Sequence, residues 1–207
     1  MLLVNRSETR DSMAKYDGIL ALERMERAVW KVKDRLLRAT AALEKAAVPY
    51  AVVGGNAVAA WVEQVDEAAV RATQDVDLAI RRVDLEAAKT ALAAAGFIYQ
   101  EVAGVEMFLD GENATPRDAV HLVFSGEKVR EHYVAPVPDV AEYESFTAYR
   151  VVSLAGLARM KLTSYRDKDR THLRDLIDVG LLDAAWLDRL PPELAARLKE
   201  LLDNPEG

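Results

Sequence analysis

The spacing of hydrophobic residues divides the chain into helical and extended segments. Between residues 13 and 47 they recur at helical spacing, which predicts one long amphipathic helix that ends before Pro49. Short apolar runs later in the chain are typical of β-strands. The predicted strands are residues 50–53, 76–80, 97–102, 105–110 and 119–124, and the third and fourth of these form a hairpin. The predicted helices after the first are residues 56–62, 85–94 and 153 to about 168.

In other segments the hydrophobic residues have no regular spacing. Residues 1–12 are polar and are predicted to be poorly ordered, and residues 126–150 are predicted to form an irregular connection. We therefore predict an α+β protein, in which a small mixed β-sheet has helices packed on one face and helical segments at both termini. The core with its N-terminal helix is assigned to residues 13–150, and a C-terminal helical segment to residues 151–207.

The most informative segment is residues 52–80, VVGGNAVAAWVEQVDEAAVRATQDVDLAI. An apolar run ends at Gly54-Gly55, a predicted helix follows, and a predicted strand opens with Asp75 and Asp77. Because alternate residues of a strand share one face, the two carboxylates are expected to project together. Neighbouring carboxylates repel each other and favour a divalent cation. Paired glycines at a helix N-terminus let the backbone approach a bulky anion such as a phosphate chain.

This pattern resembles the nucleotidyltransferase fold of the DNA polymerase β superfamily, in which a Gly-Gly or Gly-Ser turn and a helix precede Asp-x-Asp on a strand. The segment Arg71-Ala72-Thr73-Gln74-Asp75-Val76-Asp77 is similar to that of minimal bacterial members. These include the group related to the AbiEii toxins of abortive-infection and toxin–antitoxin systems. The resemblance covers residues 50–124 and, less closely, residues 153–178.

The resemblance implies a role for each residue of the motif. Asp75 and Asp77 would be catalytic residues that hold Mg²⁺ or Mn²⁺, and the metal would bridge the triphosphate of a bound NTP such as ATP. Gly54 and Gly55 would receive the triphosphate. Asn56 stands where many members have Ser, and its amide either binds a phosphate oxygen or caps the following helix.

A third carboxylate normally lies on a neighbouring strand of this family and acts as a base or as a metal ligand. The matching strand is residues 119–124, and the residue at that place is His121. An imidazole can bind a metal or accept a proton, but it brings no negative charge for a second Mg²⁺. His121 is therefore either a catalytic residue or the mark of a site that has lost transfer activity. Glu106 and Asp110, on the preceding strand, are candidates to replace the missing carboxylate.

A second group of polar residues occupies residues 154–176, LAGLARMKLTSYRDKDRTHLRDL. It is similar to the helical motif of AbiEii-like members, where a Lys and then an Arg-Asp element follow the catalytic sheet. Lys161 lies among apolar neighbours, so its ammonium can reach into a cleft and bind a β- or γ-phosphate. Most other charges are expected to form exposed ion pairs worth roughly a few tenths of a kcal/mol each. Asp175 is predicted to position a neighbouring Arg or Lys.

The composition of the chain limits the kinds of partner that the protein is expected to bind. The formal net charge is −7, which disfavours general DNA binding because that usually needs a basic surface. The chain has no Cys, which excludes thiolate metal sites and a Cys nucleophile and agrees with a reducing compartment. No stretch resembles a signal peptide or reaches the length of a membrane span. We therefore expect a cytoplasmic protein without a membrane partner.

The resemblance implies a metal-dependent nucleotidyltransferase that moves a nucleoside monophosphate from an NTP to an acceptor hydroxyl. The acceptor is a protein, a tRNA end or a small molecule, and the resemblance implies a toxin–antitoxin or defence system with an antitoxin as partner. The alternative is a catalytically silent nucleotidyltransferase-like domain that binds a nucleotide or a partner protein. His121 favours the alternative, whereas the Gly-Gly turn and the Asp-x-Asp motif favour the enzyme.

Overall fold

The computed structural model describes residues 6–205, with side chains from residue 20 onward. One mixed β-sheet is flanked by α-helices, and short 3-10 turns lie in several of the connections between strands and helices. The strands are β1 Tyr50–Val53, β2 Val76–Ile80, β3 Ile98–Val102, β4 Val105–Leu109, β5 Ala119–Phe124, β6 Tyr143–Ser145 and β7 Arg150–Val152. The helices are α1 Arg6–Lys45, α2 Gly54–Glu63, α3 Leu85–Ala94, α4 Leu154–Ser164, α5 Asp167–Asp178 and α6 Pro192–Asp203.

The sheet has the strand order β3-β4-β5-β2-β1-β7-β6. Its centre is β2, which pairs in parallel with β5 and antiparallel with β1. The β1–β7 pair is also parallel, and the remaining neighbours are antiparallel. In this register Asp77 of β2 lies directly beside His121 of β5. The central parallel pair therefore brings together two residues that are far apart in the sequence.

A continuous hydrophobic core joins the sheet to the helices. It extends from Leu36 in α1 to Leu201 in α6, so the C-terminal helices pack onto the same core as the strands. Along β2, Val76 and Leu78 are buried, while the intervening Asp77 projects from the opposite face. The predicted α+β fold class is confirmed.

Helix α1 is 40 residues long, and among its described side chains, from residue 20 onward, those that join the core lie in its C-terminal part. Leu36 and Leu43 are buried there, and Arg35 and Arg38 bind Asp110 at 3.2 Å and 2.5 Å. The helix begins at Arg6, so residues 6–12 are helical where disorder is predicted from the sequence, and residues 1–5 lie outside the described residues. No helix within residues 6–205 combines the length and the apolar character that crossing a membrane requires.

The predicted helix from residue 153 to about 168 is wrong, because the chain forms two helices there. Tyr165 ends α4 in the left-handed conformation, with φ 46°, and its hydroxyl donates to Arg197 O at 3.0 Å in α6. Arg166 is the N-cap residue of α5, and the Asp169 carboxylate accepts a hydrogen bond from the Arg166 backbone at 3.3 Å. One of these bonds is local and the other reaches α6, and the turn contains neither Gly nor Pro, so no breaker marks it in the sequence.

The predicted irregular connection at residues 126–150 is wrong at its end. Residues Tyr143–Ser145 form β6, which pairs antiparallel with β7. All three residues of β6 are exposed, since this strand lies at the edge of the sheet. Strands are identified in a sequence by the alternation of apolar and polar residues. A three-residue strand with every side chain exposed lacks this alternation, so the sequence does not reveal it.

Candidate active site

A cleft of about 630 Å³ lies where β2 and β5 face the beginning of α2 and the helices α4 and α5. We call it the catalytic cleft. Six of the seven site residues predicted from the sequence line it: Gly54, Gly55, Asp75, Asp77, His121 and Lys161. Since these residues come from four separate elements and a loop, the fold assembles the cleft from distant parts of the chain.

The two glycines lie at the beginning of α2, where Gly54 is close to Asp77 and Gly55 is close to Thr73. Gly54 has φ +69°, and a Cβ atom there would overlap the Asp77 carboxylate, at 2.8 Å from Asp77 Cγ. A Cβ atom on Gly55 would lie 2.5 Å from Thr73 Oγ1. The glycines therefore make room for side chains of β2 and of the loop before it. They also leave the first amide groups of α2, and the positive end of its dipole, at the cleft.

The two aspartates differ in their surroundings. Asp77 lies within β2, whereas Asp75 precedes the strand, and the Asp75 side chain is 42% exposed. Burial raises the pKa of Asp77; the charge of His121 opposes this rise, and the charge of Asp75 adds to it. Lys168 Nζ lies 3.7 Å from Asp75 Oδ2. A cation near this pair would relieve the repulsion between the carboxylates.

Asn56 is the predicted site residue that does not line the cleft. It is buried, and its Nδ2 donates to the backbone oxygen of Asp75 at 2.6 Å. Helix α2 begins at Gly54 and Val53 occupies its N-cap position without a side-chain hydrogen bond, so the alternative that Asn56 caps the helix is wrong. The structure shows Asn56 fixing the backbone that carries Asp75.

Lys161 lies in the cleft as predicted and forms a buried ion pair. Its side chain is 6% exposed, and its Nζ lies 3.1 Å from Asp169 Oδ1. Asp169 also accepts hydrogen bonds from Ser164 Oγ and Arg166 Nε, each at 2.8 Å. Burial lowers the pKa of Lys161, and the charge of Asp169 opposes that effect. Asp169 thus fixes the position of Lys161.

The sequence did not single out His172 or Asp169 as cleft residues. His172 lies beside the start of α2, and its Cε1 would be 3.6 Å from a Cβ atom on Gly55. Burial, followed by the positive charge of Lys161, lowers the pKa of His172 to about 4, so its ring is neutral at neutral pH. Both residues lie on α5, beyond the helix break that the sequence does not mark.

The prediction for Asp175 is confirmed. Its carboxylate is 8% exposed and accepts a hydrogen bond from Arg71 Nε at 2.7 Å. This ion pair joins α5 to the segment that precedes β2. It therefore holds the loop that carries Thr73 and Asp75.

Glu106 and Asp110 do not replace the missing third carboxylate, so that suggestion is wrong. Neither residue lines the catalytic cleft. On β4 the residue opposite His121 is Met107, so alternation turns Glu106 to the other face, where it accepts a hydrogen bond from the Tyr99 hydroxyl. Asp110 is bound to the arginines of α1.

We expect Asp169→Asn to destabilise the protein at neutral pH. We also expect its free energy of unfolding to change less than that of the native chain as the pH falls. Burial by itself raises the pKa of Asp169, but the donors Arg166, Lys161 and Ser164 lower it to about 2. Since this pKa is lower in the folded chain, the ionised group contributes about 2 kcal/mol above pH 4, and this is lost as the pH falls towards 2. Chemical denaturation between pH 2 and pH 7 measures it.

The matched control is Asp167→Asn, because the Asp167 side chain is 97% exposed and its ion pair with Arg170 is solvated. The control should unfold like the native chain over the whole range. An unfolding free energy that changes with pH equally in Asp169→Asn and in the native chain would contradict the role given to Asp169.

The fold and the cleft define a protein of the nucleotidyltransferase-like class. The solution structure of the antibiotic-resistance factor ANT(2")-Ia is similar over 86% of this chain and 92% of that chain, with a TM-score of 0.52 and 11% identity. An antigenic nucleotidyltransferase-like protein from Paracoccidioides brasiliensis matches over 84% of this chain and 90% of its own, with a TM-score of 0.49 and 16% identity. JHP933 from Helicobacter pylori matches over 90% and 75%, with a TM-score of 0.40 and 20% identity.

The family is shown by the sequence itself. The model of the nucleotidyl transferase AbiEii toxin family, of type IV toxin–antitoxin systems, matches residues 35–206. The chain therefore belongs to the AbiEii nucleotidyltransferase toxin family, which confirms the resemblance seen in the motif. No curated protein sequence matches the chain. The family match begins at Arg35, so the preceding part of α1 lies outside it.

Proposed function

We propose that this protein transfers a nucleoside monophosphate from an NTP to an acceptor hydroxyl, as the toxin of a toxin–antitoxin pair. The observation that carries the proposal is the catalytic cleft. It combines the N-terminal end of a helix, two neighbouring carboxylates and a buried lysine. Anion-binding and cation-binding groups in one cleft suit a metal-bound triphosphate.

Asp75 and Asp77 would hold the divalent metal. Among residues 20–205, whose side chains are described, no group of three acidic, His or Cys residues is arranged to hold a metal ion. This fits Mg²⁺ in nucleotide enzymes, where one or two carboxylates bind it and the substrate phosphates complete its coordination. When bound, the metal would neutralise charge on the phosphates and favour attack at the α-phosphorus.

The triphosphate would bind to groups that this chain provides. The first amides of α2, at Gly54 and Gly55, can donate to phosphate oxygens. Lys161 and Lys168 add positive charge at the cleft, and Asp169 keeps the Lys161 ammonium in place. These contacts would orient the α-phosphorus towards the acceptor and would exclude water from the reacting atoms.

His121 would take the proton of the acceptor hydroxyl. The hydroxyl oxygen forms a bond to the α-phosphorus, the bond between the α-phosphorus and the bridging oxygen breaks, and pyrophosphate leaves. The proton passes to the imidazole of His121, which lies beside Asp77 in the sheet register. In this scheme the histidine performs the role that a carboxylate has in many relatives.

The proposal is tested by incubating the purified protein with each labelled NTP, Mg²⁺ or Mn²⁺ and a cell extract. We expect label on a macromolecule or small molecule, and no label with EDTA. A protein side chain, a tRNA end and an aminoglycoside each offer a hydroxyl, so the fraction that carries the label identifies the acceptor. Absence of label with every NTP and both metals would contradict the proposal.

The second candidate function is a silent domain that binds a nucleotide or a partner protein. The observation in its favour is that His121 occupies the place beside Asp77, while Glu106 and Asp110 are engaged elsewhere. A site with two carboxylates can still bind a metal–nucleotide complex. Binding without transfer would therefore support this function.

The two functions differ in what substitutions of His121 should do. If the protein is an enzyme, His121→Ala should lower transfer by roughly two orders of magnitude, the usual contribution of a general base. His121→Asp should keep or raise transfer, because it restores a carboxylate that can bind a metal. Label transfer by the native chain and by both variants is the measurement.

His132→Ala is the matched control, because His132 is an exposed histidine outside the cleft. It should leave transfer unchanged. Equal transfer by the native chain and His121→Ala would exclude the histidine from the mechanism. Transfer that appears only in His121→Asp would show that the native domain is silent.

A further inference from the structure

A second cleft of about 630 Å³ lies next to the catalytic cleft. One wall is the face of α1 between Arg24 and Arg35, and the opposite wall is the 3-10 turn Pro116–Asp118 with the residue before it. Its end is formed by residues 72–74, which also line the catalytic cleft. We call this second cleft the α1 groove.

The α1 groove has an apolar floor and a basic rim. Met25 and Val29 lie on one stripe of α1 and are 66% and 50% exposed, so together they form an exposed apolar strip along the groove. Arg24, Arg27 and Lys31 lie on the same helix beside them and also line the groove. The opposite wall adds Arg117. Asp118 also lines the groove, and Glu23 lies 3.9 Å from Arg27, but the basic side chains of the rim outnumber these carboxylates in a chain whose net charge is −7.

Arg35 lies at the end of this helix face and has an unfilled donor. Its side chain is 3% exposed and lines the groove. Nε binds Asp110 at 3.2 Å and Nη2 binds Asp118 at 3.3 Å, while Nη1 has no hydrogen-bond partner among the described residues. A buried guanidinium with one unmatched N–H group favours a further acceptor, such as a carboxylate oxygen.

We propose that the α1 groove docks an acidic amphipathic helix of a partner protein. A helix whose apolar residues recur every three or four positions would cover Met25 and Val29, and acidic residues beside them would face Arg24, Arg27 and Lys31. The aliphatic floor favours a protein over a nucleic acid, because single-stranded nucleic acids stack their bases on aromatic side chains. Residues 24–34 of this wall precede the family match, which begins at Arg35.

Such a partner would reach the catalytic cleft through residues 72–74. Thr73 belongs to both clefts, and its hydroxyl packs against Gly55 at the start of α2. A docked helix that moves or fixes this loop would change nucleotide binding, and the nucleotide would change docking by the same factor. This regulatory consequence rests on the proposed function, whereas the docking itself does not.

The test measures binding of fluorescein-labelled peptides to the full chain by fluorescence anisotropy. The probe is a designed helical peptide of Leu and Glu with one apolar face, and its match has Lys in place of every Glu. We expect the acidic peptide to bind and the basic one not to bind. Lys31→Glu and Val29→Asp should each weaken binding by roughly tenfold or more. Lys33→Glu, an exposed reversal on the same helix outside the groove, should change it by less than about twofold.

Several outcomes would overturn the proposal. These are no binding of the acidic peptide, equal binding of both peptides, or equal loss in Lys31→Glu and Lys33→Glu. An RNA hairpin that binds more tightly than the acidic peptide, and is lost with Lys31→Glu, would assign the groove to nucleic acid instead. Peptide binding by a chain that shows no label transfer would support the docking surface and reject the proposed enzyme.

Discussion

Asp77→Asn is expected to abolish nucleotide transfer while the chain remains folded. The substitution removes one of the two carboxylates that would hold the metal, and metal stabilisation of the transferring phosphate is worth several kcal/mol. A loss of about 4 kcal/mol corresponds to a rate lower by roughly a thousandfold. Folding should not suffer, because a partly buried carboxylate with a raised pKa beside Asp75 is replaced by a neutral group of the same shape.

Two measurements check this expectation. Label transfer should fall to background, and the rise in melting temperature caused by Mg²⁺ with an NTP should disappear. Asp188→Asn is the control, since Asp188 is exposed and does not line the cleft. A nucleotide-induced shift that survives both EDTA and Asp77→Asn would show that the nucleotide binds without a metal at this site.

Gly54→Ala should lower transfer by a hundredfold or more, about 3 kcal/mol. The added Cβ atom would overlap the Asp77 carboxylate, so either Asp77 or the start of α2 must move. Displacing a metal-binding group by 1 Å is enough to lose about two orders of magnitude in rate. The positive φ of Gly54 adds backbone strain, which costs about 1–2 kcal/mol of stability.

Gly126→Ala is the control, because it introduces the backbone strain without the overlap with Asp77. Gly126 has φ +77°, and no atom lies within 4 Å of a Cβ atom placed there. Both variants should therefore lose the stability that the backbone strain costs, Gly54→Ala should lose more because of the overlap with Asp77, and only Gly54→Ala should lose transfer. If Gly126→Ala lost transfer to the same extent, the effect would come from general destabilisation and the close contact with Asp77 would be irrelevant.

The central part of the fold could be predicted because local signals agree there. The glycine pair, the apolar strands and Asp75 with Asp77 lie within 29 residues, residues 52–80, and each has a direct physical meaning. The pairing of His121 with Asp77 also followed, since a third residue on a neighbouring strand belongs to the resemblance. From the sequence, the glycines are predicted to let the backbone approach a phosphate chain. In the structure they also make room for the side chains of Asp77 and Thr73, which the sequence does not reveal.

The remaining features depend on contacts between distant parts of the chain. Tyr165 breaks the helix through a bond to α6, and Asn56 turns inward because the backbone of Asp75 offers an acceptor. Asp169 looks like one charge among many in a polar helix, yet it is fully buried against Lys161. No spacing rule within a helix reveals such partners, since they are defined by tertiary packing.

The parallel pairing of β2 with β5 bears on when activity arises during synthesis. Neighbouring parallel strands need a long crossover, and such non-local contacts form slowly. When β1 and β2 have been synthesised, Asp77 is present but its neighbour His121 in β5 is not. Lys161 and Asp169, in α4 and α5, are synthesised later still. A nascent chain that stops before α5 therefore lacks a complete cleft. This order of synthesis would delay the proposed transfer until the chain as far as α5 has left the ribosome.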